Sequence, residues 1–319
     1  MGRFIIVWLI FGIRSVVDAA LVGIVKLNTC AVTLFRWLLR YISTPPLLLI
    51  VSYTLCRLGV IGRNYRNRTK VATQNYQCLM DKPGRIDTAW IAVRRYILEE
   101  GATWGQNRQI MSQIEACTHK LNQIVEPLHE QQVPVILAPL HMVSDVLATI
   151  VGAGTSPKNA TVIVSSSAEQ TKFDDTARIL GGINLSYCSI HQEDKSLAKN
   201  LMTLMTETAS GQKNMIIFPD ITPDYTIHTG EGINNKLACR LFNRPAKLHS
   251  GVVRLSKVIS AQVVFYNLYC KNGIQINIYP PVHATDIAKQ LPIIIEKTIR
   301  DYPNDWLLWH SHSLYFINH

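Results

Sequence analysis

His141 and Asp145 are the first residues whose types and spacing suggest chemistry. They follow an apolar run, Val133-Pro134-Val135-Ile136-Leu137-Ala138, with the length and composition of a buried strand in an α/β sheet. Open sheets of that class bind ligands in the crevice beyond the carboxyl ends of their strands. An imidazole with a carboxylate in reach at such a place can act as a general base and its orienter. The competing reading is a His that caps the helix predicted by Val146, Leu147, Ile150 and Val151. On a continuous helix, residues four apart share a face, so the two side chains can meet; if the helix begins after His141, the geometry of the turn decides.

A second polar strand end is expected beside the first. Asn214 to Phe218 reads as a buried strand closed by Pro219-Asp220. A polar stretch then runs to Asn235, a length that in compact domains marks function or disorder. Beyond it come Lys236, Arg240, Arg244 and Lys247, then His249-Ser250-Gly251. Basic groups near a sheet edge can hold phosphate, although each taken singly reads as a solvated face. His310-Ser311-His312 lacks a third ligand, so no metal site is expected. The chain has no G-x-S-x-G elbow, dinucleotide fingerprint or P-loop.

The elements that must position these residues alternate. Asp87 to Glu100 has helical periodicity and stops at Gly101. Ile110, Ile114, Cys117, Leu121, Ile124 and Leu128 form one amphipathic stripe. Strands are predicted at Thr161–Val164, Asn184–Cys188, Val263–Tyr269 and Ile274–Tyr279, the last two joined by a Lys271-Asn272-Gly273 turn. Helices are predicted at Phe173–Leu180, Lys195–Ala209 and Ala284–Arg300. The pattern is an α/β domain with a mostly parallel central sheet flanked by helices, beginning near residue 70.

Residues 1–69 read differently. Phe4 to Val25 is almost wholly apolar and long enough to span a bilayer, although it carries Arg14 and Asp18. Apolar segments at Ala31–Ile42 and Leu47–Gly62 follow, the first with Arg36 and Arg40 and the second with Arg57. No acidic residue lies between Asp18 and Asp81, against eight basic ones. Basic residues among Trp- and Tyr-bearing apolar helices mark a membrane interface, and a basic excess after a span would place the domain in the cytoplasm. Nucleic acid fits less well as the target of the +10 net charge, because these cations sit beside apolar runs. A buried helical hairpin with a solvated basic face is the plainer alternative. Seven scattered cysteines in no C-x-x-C pair argue against a disulfide framework or zinc cluster.

Taken in order, these pieces resemble the lysophospholipid acyltransferase superfamily, and within it the late acyltransferases of bacterial lipid A biosynthesis. The resemblance spans roughly residues 70 to 319. It rests on the membrane-bound amino terminus, the strand ending in His with a nearby acid, the later strand ending Phe218-Pro219-Asp220, the basic segment, and the closing Tyr302-Pro303…Trp306-Leu307-Leu308-Trp309-His310. It implies transfer of an acyl chain from acyl carrier protein or coenzyme A thioester to a hydroxyl of a lipid A precursor or lysophospholipid, with no bound cofactor. It also implies residence at the cytoplasmic face of a bacterial inner membrane. His141 would be the base and Asp145 its orienter. Phe218, Pro219 and Asp220 would lie beside the acceptor, and Arg240 and Lys247 would contact phosphate. The spacing here is His-x3-Asp, one residue shorter than the family's His-x4-Asp/Glu, and His310-Ser311-His312 stands where His-Arg-Arg is usual. The same scaffold also fits transfer of an aminoacyl or other acyl group to lipid A, or a catalytically silent lipid-binding relative.

Overall fold

A computed structural model of the chain describes residues 26, 29–42, 45–164, 184–189, 197–221 and 236–311. The expected Phe4–Val25 span, the Phe173–Leu180 helix, the polar stretch 222–235 and His312 lie outside those residues.

Strand β1 (Val135–Pro139) is buried along its whole length and lies near the middle of the sheet. It runs parallel to β4 (Asn214–Ile216) on one side and to β7 (Gln262–Cys270) on the other, pairing Ile136 with Met215 and Leu137 with Val264. Beyond β4 come β2 (Asn159–Val164) and β3 (Asn184–Ser189), also parallel. Beyond β7 the direction reverses. β8 (Ile274–Ile278) and the short β9 (Val282–His283) pair antiparallel with it. The β7–β8 turn uses Asn272 and Gly273 at φ +57° and +120°, which a Gly and an Asn tolerate. The mixed α/β architecture with a mostly parallel sheet is as the sequence predicts.

Alternation along β1 sends its side chains to two cores. Ile136 and Ala138 join the cluster made with α3 (Arg66–Met80) and α9 (Ile287–Asp301). Val135 and Leu137 join the cluster under α5 (Arg108–Glu130) and α6 (Asp145–Ala153). The α5 stripe buries Ile110, Ile114, Cys117 and Leu121 as predicted. Val125 completes it, while Ile124 and Leu128 are only partly buried. Helix α4 (Thr88–Ala102), N-capped by Asp87, packs against α2 (Pro45–Leu58). Helix α7 (Leu197–Ala209) lies against β3 and β4.

Helix α1 (29–41) and α2 expose Leu34, Trp37, Tyr41, Leu47, Ile50 and Leu58. Buried Leu39, Ser52 and Cys56 pack inward from the same helices, and side chains tie α1 to the domain. Arg36 pairs with Glu100 at 2.7 Å and stacks over Trp104, and Asn107 donates to the carbonyls of Leu39 and Ile42. The expected boundary at residues 69 and 70 falls inside α3. Among the described residues no single helix is long and apolar enough to cross a bilayer. The pair Pro46–Leu58 and Arg63–Met80, bent by 61°, meets that test together by length and composition.

Several elements were not predicted, among them α3, β9 and a hairpin. β5 (Lys236–Leu241) and β6 (Arg244–His249) form an antiparallel hairpin turned at Phe242-Asn243, both with positive φ. Leu237, Cys239, Leu241, Ala246 and Leu248 face the core, and Arg240 stays exposed on the opposite face. The short helix α8 (Gly251–Val258) follows.

Candidate active site

β1 and β4 are neighbours and parallel, so their carboxyl ends open on one edge. β1 delivers His141 there and β4 delivers Phe218-Pro219-Asp220. The His141 Nδ1 stands 2.7 Å from Asp220 Oδ1, with the imidazole side chain 14 % exposed and the carboxylate 1 %. The backbone N–H of His141 also donates to Asp220, at 3.0 Å from Oδ2, and Trp306 Nε1 donates to the same oxygen at 3.2 Å. These neighbours are N–H donors, so the carboxylate accepts throughout and the Nδ1 position carries the imidazole's proton. The Phe218 ring lies 4.5 Å from the imidazole, centroid to centroid, and limits its rotation. That leaves the Nε2 lone pair as the basic position, with no bonded partner among the described residues.

The acid on His141 is therefore Asp220 and not Asp145. The expected i, i+4 contact needed one continuous helix from His141, but α6 begins only at Asp145, with Ser144 as its N-cap. Val143 interrupts the backbone before it, with φ +59° although it is β-branched and fully buried. A residue of that type in the left-handed region costs on the order of 1–3 kcal/mol and persists only where its surroundings fix it. The surroundings here are the carboxyl-terminal segment. Asp305 O accepts from Val143 N at 2.8 Å, Leu307 N donates to His141 O at 2.9 Å, and Met142 pairs with Trp306 in a short bridge. Asp305 is itself held by a buried ion pair with Arg94 of α4 at 2.6 Å.

Asp145 points its carboxylate at Arg95 instead. Arg95 Nε also holds Glu99 at 2.6 Å, and Ser144 Oγ donates to Glu99 at 2.7 Å. Burial pushes the Glu99 carboxyl above the usual carboxylate range; Arg95 opposes the shift and Asp145 adds to it. Burial opposes the charge on Arg95, but Asp145 and then Glu99 outweigh it and hold the guanidinium above its ordinary value. The cluster binds the start of α6 to α4, directly behind the His141 turn.

The N–H groups of His141, Met142, Val143 and Ser144 are all bonded, to Asp220, Leu140 O, Asp305 O and Met142 O. This turn therefore has no spare donors for an oxyanion, and any such donors must come from elsewhere. Arg240 and Lys247 are on the hairpin, where Arg240 donates to Asn243 O at 2.7 Å, and neither bonds His141. His249 accepts from Gly251 N at 3.0 Å. Burial, aided by Arg254, pushes its pKa down. Burial and then Arg68 likewise lower His310, against a bond to the Leu307 backbone. No group of three or more His, Cys, Asp or Glu among the described residues could hold a metal ion.

Sequence reasoning placed Asp220 beside the acceptor and overlooked Trp306, Asp305 and Arg94 as parts of the site. The available signal was a buried strand, Asn214–Phe218, ending in an acid on the expected edge. Comparison with protein-family models and with curated proteins finds no match to this chain.

Proposed function

We propose that the protein is a membrane-bound acyltransferase that moves an acyl chain from an acyl thioester to a hydroxyl of lipid A or a related glycolipid or phospholipid. The observation that carries this reading is the Nδ1 contact to Asp220, which leaves Nε2, with no bonded partner among the described residues, to take a proton at the carboxyl-end edge of the sheet. His141 removes the hydroxyl proton as the oxygen attacks the thioester carbonyl and the C–O bond forms. Collapse of the tetrahedral species breaks the C–S bond, and the thiolate leaves with the proton from the imidazolium. Positioned base catalysis of this kind contributes about 10²–10⁴-fold. No acyl-enzyme intermediate is required. Arg240 and Lys247 are candidate contacts for acceptor phosphates, acyl carrier protein is the proposed donor partner, and the cytoplasmic face of a bacterial inner membrane is the proposed location.

The test is mass spectrometry of total lipids and lipid A from cells with the gene, without it, and with His141→Ala. A mass increment that needs the intact gene and vanishes with His141→Ala is expected, and its size names the group moved. Purified protein given long-chain acyl carrier protein and aminoacyl carrier protein separates the two donor classes. Turnover unaffected by His141→Ala overturns the assignment. Lipid binding without turnover on any donor makes the protein a lipid-binding relative instead.

A further inference from the structure

A groove of about 790 Å³ lies between the end of α2, one face of α3 and the loop that enters α4. Arg57, Arg66, Lys70 and Arg85 line it with Thr69, Thr73, Gln74 and Gln77, and Asp87 is the one carboxylate on its wall. Asp87 is already engaged, since its Oδ1 caps α4 by accepting from Trp90 N at 3.1 Å. Arg57, Lys70 and Arg85 have no carboxylate partner among the described residues. The sequence supplies no acid from residue 26 to residue 80 to offset them.

The groove is built by the bend between the two helices. Gly59 and Gly62, at φ +82° and +72°, turn the chain there, and a Cβ on Gly59 would lie 2.6 Å from the Arg66 guanidinium. Arg66 Nη2 donates to Cys56 O at 2.9 Å, satisfying a carbonyl in the last turn of α2. The bend sets the basic face of α3 against the tip of an apolar helix. At that tip Leu58 and Val60 are 73 % and 67 % exposed, and Ile50 and Leu47 continue the apolar surface along α2. Arg57, Lys70 and Arg85, without a carboxylate partner among the described residues, thus lie at one end of an exposed apolar strip, while Thr69, Thr73 and Gln77 of the same groove are bonded to Thr88, Ile86 and Gly84.

We infer that this groove binds the phosphate headgroup of an anionic membrane lipid, with the lipid's acyl chains lying along the exposed face of α2. Charge complementarity selects the headgroup, and the apolar strip selects a lipid over a free phosphate. The groove shares no lining residue with the His141–Asp220 pair, and the inference does not depend on turnover.

The experiment is native mass spectrometry of the full chain in detergent, with phosphatidylglycerol or phosphatidylcholine added in parallel. A triple variant Arg57→Gln, Lys70→Gln, Arg85→Gln is compared with a control triple Lys257→Gln, Lys271→Gln, Lys289→Gln, which removes the same charge from exposed sites elsewhere. Phosphatidylglycerol adducts are expected to fall by about tenfold or more in the groove variant and by less than about threefold in the control. Phosphatidylcholine adducts are expected to be equal in both. Lysine at positions 57 and 85 (Arg57→Lys, Arg85→Lys) should retain the adduct, and unchanged thermal midpoints show that the variants are folded. Equal loss in both triples, displacement of the adduct by inorganic phosphate at matched ionic strength, or equal affinity for a single-stranded oligonucleotide overturns the inference.

Discussion

Two acids were candidates to hold His141, and the fold uses them differently. Asp220 is nearly sealed from water and accepts from the imidazole, the His141 backbone and the Trp306 indole. Asp145, four residues from His141 in sequence, shares Arg95 with Glu99. The first acid fixes which imidazole nitrogen carries the proton; the second fixes where the helix behind the imidazole begins. Sequence separation did not indicate which was which, because the strand neighbours, not the helix repeat, decide what reaches the imidazole.

The sharpest way to break this contrast is to neutralise each acid in turn. Asp220→Asn is expected to lower kcat for the proposed thioester release by roughly 10²–10⁴-fold without unfolding the protein, because an amide in place of the carboxylate no longer fixes the imidazole's tautomer. Asp145→Asn is expected to keep kcat within about tenfold while lowering stability by about 1–3 kcal/mol, read from denaturant midpoints, because Arg95 then keeps only Glu99 as a charged partner. Equal losses of kcat in the two variants would end the distinction. Trp306→Phe keeps a ring in the core but removes one donor to Asp220, and should cost about 1 kcal/mol, close to fivefold in kcat.

The smallest effect is on pH dependence. The folded protein holds the Glu99 carboxyl above its ordinary value, so it binds that proton more tightly than the unfolded chain does. The stability this confers is complete below the ordinary carboxylate range and is lost as pH rises through the raised value. Glu99→Gln should flatten that fall in a series of thermal midpoints against pH. A slope identical to the parent's would show that Glu99 is not its source.

Much of the frame is legible in the residue pattern. The apolar run into His141 is β1, and the stripe from Ile110 to Leu121 is the buried face of α5. The Asp220 contact is not legible locally, since 79 residues separate it from His141 and it exists only because β4 lies beside β1. The hairpin of β5 and β6 did leave a period-two trace in Leu237, Cys239 and Leu241. Its turn is built on Phe242-Asn243 instead of the Asn-Gly that usually marks two residues with positive φ. The turn between His141 and α6 was not legible, because Val143 adopts a backbone conformation its residue type disfavours, held there by Asp305, which lies far along the chain.

The bridge from Met142 to Trp306 also has a consequence for synthesis. A nascent chain that has emerged as far as α9 already contains the imidazole and Asp220, yet lacks the indole and the backbone groups that lock the His141 turn. The His141 turn can therefore be locked only after translation has passed residue 307, when every strand of the sheet has already been synthesised.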